Sequence, residues 1–82
     1  MILVVGATGQ LGTAVVSKLV ERGTSVRGLA RPTSGYQHLE CEGVELAFGD
    51  LRDEASLFAA CENVDKVIAT ANGSINIAPL RD

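Results

Sequence analysis

The 82-residue chain is short of most residues that do chemistry on their own. It has one histidine, His38, and two cysteines, Cys41 and Cys61, twenty residues apart with no CxxC pair. Metal-ligand spacing is absent, and the two thiols are expected to be reduced and mostly buried, since free cysteine packs as a small hydrophobe. No apolar run approaches the ~20 residues of a membrane span. No basic residue precedes the apolar start MILVV, and no signal-peptide cleavage pattern follows it. These absences make a cytoplasmic location the default expectation, with no membrane partner. The formal net charge is −3 and no basic stripe is visible, so nucleic acid is not an expected partner. Linkers, repeats and low-complexity segments are also missing. A single small domain is expected, burying only roughly 60–65% of its unfolded surface.

What is present alternates. Residues 2–5, ILVV, form a β-branched-rich run suited to a strand buried on both faces. Residues 10–22 read as an amphipathic helix. Leu11, Ala14, Val15, Leu19 and Val20 are assigned to its inner face, and Gln10, Thr13, Ser17, Lys18 and Glu21 to its outer one. Gly23 stands where a C-terminal helix glycine belongs. Residues 25–30 read as a second strand, 31–35 as a loop, 36–41 as a short helix and 44–48 as a third strand. Asp53 can cap a helix running to about Cys61, with Leu57, Ala60 and Cys61 inward. Residues 65–71 read as a fourth strand and the remaining NGSINIAPLRD as loop. Strands alternating with helices imply right-handed crossovers and a parallel sheet, with the fourth strand at an open edge. The fold class is therefore α/β, a Rossmann-type parallel sheet with flanking helices, incomplete at about four strands.

The stretch VVGATGQLGTAV places Gly6, Gly9 and Gly12 every third residue between the first strand and the first helix. Gly6 permits a turn that a Cβ would block, Gly9 lets backbone approach a bound pyrophosphate, and Gly12 lets the helix pack on the strand. The free N–H groups of the helix start around Gly9, Gln10 and Leu11 form an anion site. Glycines in such a turn can also serve chain reversal alone, and the GxxGxxG spacing is not the commonest dinucleotide pattern. No Lys-Ser or Lys-Thr follows Gly12, which excludes a Walker-type phosphate loop, and no serine stands at a strand-to-helix elbow.

The end of the second strand bears on which dinucleotide would bind. An NAD site usually has an acidic residue there, for the ribose 2′-OH. Here the position is Arg31, followed by Thr33 and Ser34. A guanidinium offers a forked donor pair to a 2′-phosphate, which favours NADP, with NAD as the alternative. Arg27, further up the strand, reads as an exposed residue rather than a ligand.

With Gly6-Ala7-Thr8-Gly9-Gln10-Leu11-Gly12 in place, the chain resembles the short-chain dehydrogenase/reductase superfamily, and most of all its atypical NmrA-like branch. VRGLAR, 26–31, and GVELAFGDLRDEASLFAACENVDKVI, 43–68, are similar to corresponding stretches of that branch, and the resemblance runs from residue 2 to about 71. It implies cofactor-binding roles for Gly6, Thr8, Gly9, Gln10, Leu11, Gly12 and Arg31. It further implies that Asp50 and Leu51 flank the adenine and that Ala69, Thr70 and Ala71 line the cofactor at the end of the fourth strand. A turn residue after Gly49 is the competing reading of Asp50.

The catalytic Tyr-x-x-x-Lys of the superfamily has no counterpart. The one tyrosine, Tyr36, is followed four residues on by Glu40, and isolated His38 reads as a surface residue. Residues 1–82 are thus expected to be the N-terminal part of an NAD(P)-binding Rossmann domain: the NADP(H)-holding half of an oxidoreductase whose catalytic groups lie outside this chain. The alternatives are a non-catalytic NADP(H)-sensing regulator and a fragment with no function of its own. The expected partner is the dinucleotide, with a missing C-terminal half or a second chain completing the sheet.

Overall fold

A computed structural model describes residues 1–33, 35–50, 52–71 and 74–79, the stretch from 71 onward by its backbone path. The elements run β1 (Ile2–Val5), α1 (Gln10–Glu21), β2 (Val26–Ala30), α2 (Gln37–Cys41), β3 (Glu45–Phe48), α3 (Glu54–Ala60), β4 (Lys66–Ala71) and β5 (Ser74–Pro79). The sheet order is β3-β2-β1-β4-β5. β1 to β4 are parallel, with Val5 opposite Leu29 on one side and Ala69 on the other. The expected α/β arrangement is therefore present.

β5 corrects the reading of the final residues as loop. It pairs antiparallel to β4, Ile68 opposite Ile77, so β4 is not an open edge. SINIAP, with its alternating isoleucines, carries a period of two that the flanking Gly and Asn obscure.

Alternation along the strands feeds two cores, one on each face of the sheet. Val4 and Val26 face Val16 of α1, Leu39 of α2, and Ala7 and Val44, with Ile2, Leu19, Val20 and Leu46 packed around them. Leu3 and Leu29 face Ala60 and Val64, flanked by Val5, Leu57, Cys61 and Val67. The inward placement of Leu57, Ala60 and Cys61 is as expected. Leu3 and Leu39 are fully buried, each contributing roughly 1.5–3 kcal/mol.

The helix ends follow their signals. Asp53 caps α3 by accepting the Ala55 N–H at 3.2 Å. Gly23 ends α1 in a Schellman turn, its N–H bonded to the Val20 carbonyl and that of Thr24 to the Leu19 carbonyl, both at 3.0 Å.

The inner face of α1 differs from the expected one. Gly12 and Val16 are buried, with Leu19 and Val20 beside them, while Ala14 is exposed. Gly12 has to seat against the β1–α1 turn, and this sets the helix rotation. The same rotation brings Thr13 and Ser17 toward α2. Thr13 Oγ1 donates to the Ala7 carbonyl at 3.1 Å and lies 3.1 Å from His38 Nε2, and Ser17 Oγ donates to Glu42 Oε1 at 2.7 Å. His38 is thus half-buried in a polar seam between two helices.

Arg27 is likewise not the exposed residue expected. Its side chain is 11% exposed. Nη1 donates to the Ala60 and Glu62 carbonyls at 2.7 Å each, and Nη2 pairs with Glu45 at 3.0 Å. A guanidinium can satisfy carbonyls left open at a helix end, and here it ties β2 to the end of α3. Cys41 is exposed on the outer flank of α2, against the expectation of burial, and Cys61 is half-buried; both are free.

Candidate dinucleotide-binding site

The glycine turn lies at the C-terminal end of β1, where the strand order changes direction between β2 and β4. Ligands of open α/β sheets bind at such a switch point. Gly6 has φ +81°, and a Cβ there would stand 2.7 Å from the Thr70 carbonyl oxygen. Thr70 Oγ1 donates toward the Val5 and Gly6 carbonyls at 3.0 and 3.3 Å, tying β4 to the turn. A Cβ on Gly12 would run into the Gly6 carbonyl and come within 2.9 Å of Ala7 Cα. Internal packing alone therefore requires glycine at both positions.

Gly9 is different. It is the exposed N-cap of α1 with φ −78°, a backbone conformation open to any residue. Among the described residues, its two chain neighbours aside, only the Gly6 carbonyl oxygen lies within 4 Å of where its Cβ would stand, at 3.4 Å. Among the described residues nothing requires position 9 to be glycine. No side chain caps the helix and no acidic residue occupies its first turn, so its partial positive charge is unopposed there. The space and the charge suit a phosphate group.

Beside this turn opens a cleft of about 410 Å³, lined by Val5, Gly6, Thr8, Leu29, Ala30, Arg31, Gly49, Asp50 and Arg52. The ends of β1, β2 and β3 thus meet at one place. Its floor is apolar and its rim charged. Arg31 is exposed and makes no ion pair among the described residues. Asp50 is held by Arg52, whose Nη2 lies 3.0 Å from Oδ2. The hydrogen bonds from the Arg52 side chain and backbone N–H, together with the charges of Arg52 and Arg31, outweigh desolvation and hold the Asp50 carboxyl down to about 2; the same contact raises Arg52.

The structure brings Gly6, Thr8, Arg31 and Asp50 to this cleft. Gly9, Gln10, Leu11 and Gly12 form the adjoining helix start: Gln10 is exposed, Leu11 half-buried and Gly12 buried. Ala69 and Thr70 stand at the end of β4, on the other side of β1, and do not line the cleft. Leu51, Ser34 and the Ala71 side chain fall outside the described residues. Arg52 and the apolar floor of Leu29 and Ala30 were missed by sequence reasoning. The signal for Arg52 was its i, i+2 spacing from Asp50, which suits an Asx turn closed by an ion pair.

Among the described residues no group of His, Cys, Asp and Glu could hold a metal ion, and no helix is long and apolar enough to cross a membrane.

Comparison with known proteins points the same way. The model of the NmrA-like family matches residues 1–79. Over 69 residues the chain is 45% identical to sterol demethylase protein B of Methylococcus capsulatus, covering 84% of this chain and 21% of that protein. Over 67 residues it is 45% identical to an NAD(P)H azoreductase of Xenophilus azovorans, covering 82% and 23% respectively. An NADPH-dependent quinone oxidoreductase of Escherichia coli superposes with a TM-score of 0.78 at 31% identity, over 89% of this chain and 27% of that one. That enzyme has also been solved in complex with NADPH. The chain therefore spans under a quarter of the length of the two curated relatives, 21% and 23%.

Proposed function

The chain belongs to the NmrA-like family, a family of NAD(P)-binding reductases, and from that premise we propose that it is the NADP(H)-holding N-terminal part of an oxidoreductase. Gly9 is the observation that carries this reading: a glycine for which the described residues give no packing reason, at an uncapped helix start bordering a cleft whose rim holds Arg31, unpaired among the described residues. Here the N–H groups of Gln10 and Leu11 would receive the pyrophosphate, with Gly6 and Gly12 shaping the turn. Thr8 and the apolar floor of Leu29 and Ala30 would hold the adenosine, with Asp50 and Leu51 beside the adenine. Arg31 would take the 2′-phosphate, which gives NADP(H) preference over NAD(H). Ala69, Thr70 and Ala71 would border the cofactor at the end of β4. A nicotinamide dinucleotide supplies hydride transfer, and the chain's part is to bind and orient it. The acceptor, by analogy with the relatives, would be a quinone or azo compound, met by residues beyond those of this chain. The same residues would serve a non-catalytic NADP(H) sensor, the alternative reading.

Calorimetric titration with NADPH and then NADH tests the reading. NADPH should bind more tightly than NADH, Gly9→Val should abolish binding of both, and Arg31→Glu should remove the preference. A folded chain that binds neither dinucleotide would refute it. NADPH oxidation with a quinone by the full-length protein separates enzyme from sensor.

A further inference from the structure

Three charged side chains line the cleft, Arg31, Asp50 and Arg52, and one of them is of the wrong sign for an anion. A carboxylate facing the same space as Arg31 would repel a phosphate there and compete with it for the guanidinium. The geometry around Asp50 counters both effects. The Arg52 backbone N–H donates to Oδ1 at 2.9 Å, Nε to Oδ1 at 3.3 Å and Nη2 to Oδ2 at 3.0 Å, so both oxygens are engaged. The turn that makes this possible is itself pinned. The Asp50 N–H donates to Ser56 Oγ at 3.1 Å, and Ser56 Oγ donates to the Asp53 carbonyl at 2.8 Å. A Cβ at Gly49 would stand 2.8 Å from that Ser56 oxygen, so position 49 needs its glycine to admit the contact. Arg31 is left without an ion-pair partner among the described residues. Asp50 also feels the charge of Arg31, so the two groups are within electrostatic reach of one another.

We propose that Arg52 is a positioning residue that sets 2′-phosphate selectivity: by holding both oxygens of Asp50 it keeps Arg31 available to the phosphate. The proposal rests on the reading of the cleft as an NADP(H) site and adds to it a residue outside the glycine motif. Without Arg52, the Asp50 carboxylate turns to the remaining guanidinium of the cleft, and the 2′-phosphate has to displace it. A nicotinamide dinucleotide lacking that phosphate does not depend on Arg31 and is little affected.

The test titrates the wild-type chain, Arg52→Gln, Asp50→Asn and the double variant with NADPH and NADH. Arg52→Gln should weaken NADPH by about fivefold, the size of an exposed charge–charge interaction, and NADH by less than about twofold. Asp50→Asn in the same chain should restore the NADPH-to-NADH ratio to within about twofold of wild type, because the competitor for Arg31 is gone and any loss beside the adenine, shared by both dinucleotides, cancels in the ratio. An unchanged NADPH-to-NADH ratio in Arg52→Gln overturns the proposal. So does a double variant whose NADPH-to-NADH ratio stays as low as that of Arg52→Gln, which would mean that Arg52 touches the phosphate itself. Should Arg52→Gln not fold, Asp50→Asn alone decides: it should keep or strengthen the NADPH preference, and losing it overturns the proposal. A wild-type chain that binds neither dinucleotide sinks the cofactor reading and this one with it, whereas a wild type that prefers NADPH with an indifferent Arg52→Gln sinks this one alone.

Discussion

Gly12 presses against the Gly6 carbonyl so closely that a Cβ at position 12 would collide with it, whereas a Cβ at Gly9 would meet that same oxygen at 3.4 Å. The three glycines of the turn therefore divide into two that the fold requires and one that it does not. Gly12→Ala has to push α1 off β1, and Val16, Leu19 and Val20 pack through that contact. A destabilisation of about 3 kcal/mol or more is expected, since the obstructing atoms are backbone and cannot rotate away. Gly9→Ala should cost less than about 1 kcal/mol, the ordinary loss at a helix N-cap. Urea denaturation of the two variants checks the contrast. Equal losses would mean that Gly9 is as structural as its neighbours.

Arg27 is the second place where one side chain carries much of the architecture. It reaches from β2 across to the carbonyls of Ala60 and Glu62 while holding Glu45 on β3. Arg27→Met keeps much of the apolar stem and removes the donors. The Ala60 carbonyl is left in part-buried surroundings and that of Glu62 in exposed ones, so the change should cost about 1–2 kcal/mol. The loss should appear in the denaturation midpoint while the NADPH-to-NADH ratio stays as in wild type, since Arg27 is not a cleft residue. A change of less than about 0.5 kcal/mol, the level of a plain surface substitution, would contradict this account.

The chain is legible where local signals and global packing agree. ILVV, the glycine turn, Gly23 and the Asp53 cap each mark an element boundary, and each boundary falls within a residue or two of its expected place. Legibility fails where a tertiary contact overrides local pattern. The apolar residues of α1 permit more than one inner face, and Gly12 selects the face by its fit against Gly6, which no hydrophobic periodicity records. Arg27 alternates like a solvent-facing residue, yet the end of α3 supplies acceptors that draw it in. β5 is six residues long between turn formers, and its pairing to β4 depends on a neighbour rather than on its own sequence. At the site, Gly6, Thr8, Arg31 and Asp50 could be named in advance because a motif or a strand end points to them. Arg52 was not, because no motif or strand end points to it and its spacing from Asp50 is the one signal it carries.

That carboxylate also gives the fold a defined acid sensitivity. The Arg52 hydrogen bonds bring Asp50 down from 3.8 to about 2 in the folded chain. Between those values the unfolded chain binds a proton that the folded chain refuses, so acid shifts the balance toward unfolding. The contribution of Asp50 is complete above its unfolded value and fades as the pH falls through the folded one. The pair is exposed, so the effect should be a shallow slope rather than a cliff. Urea midpoints measured from pH 5 to pH 2 should fall less steeply for Asp50→Asn than for wild type, and most of the difference should arise below pH 4. Arg52→Gln should flatten the slope in the same window, since without its donors the carboxyl of Asp50 returns toward its unfolded value in both states. Parallel slopes for all three chains would show that the Asp50–Arg52 contact does not persist in solution.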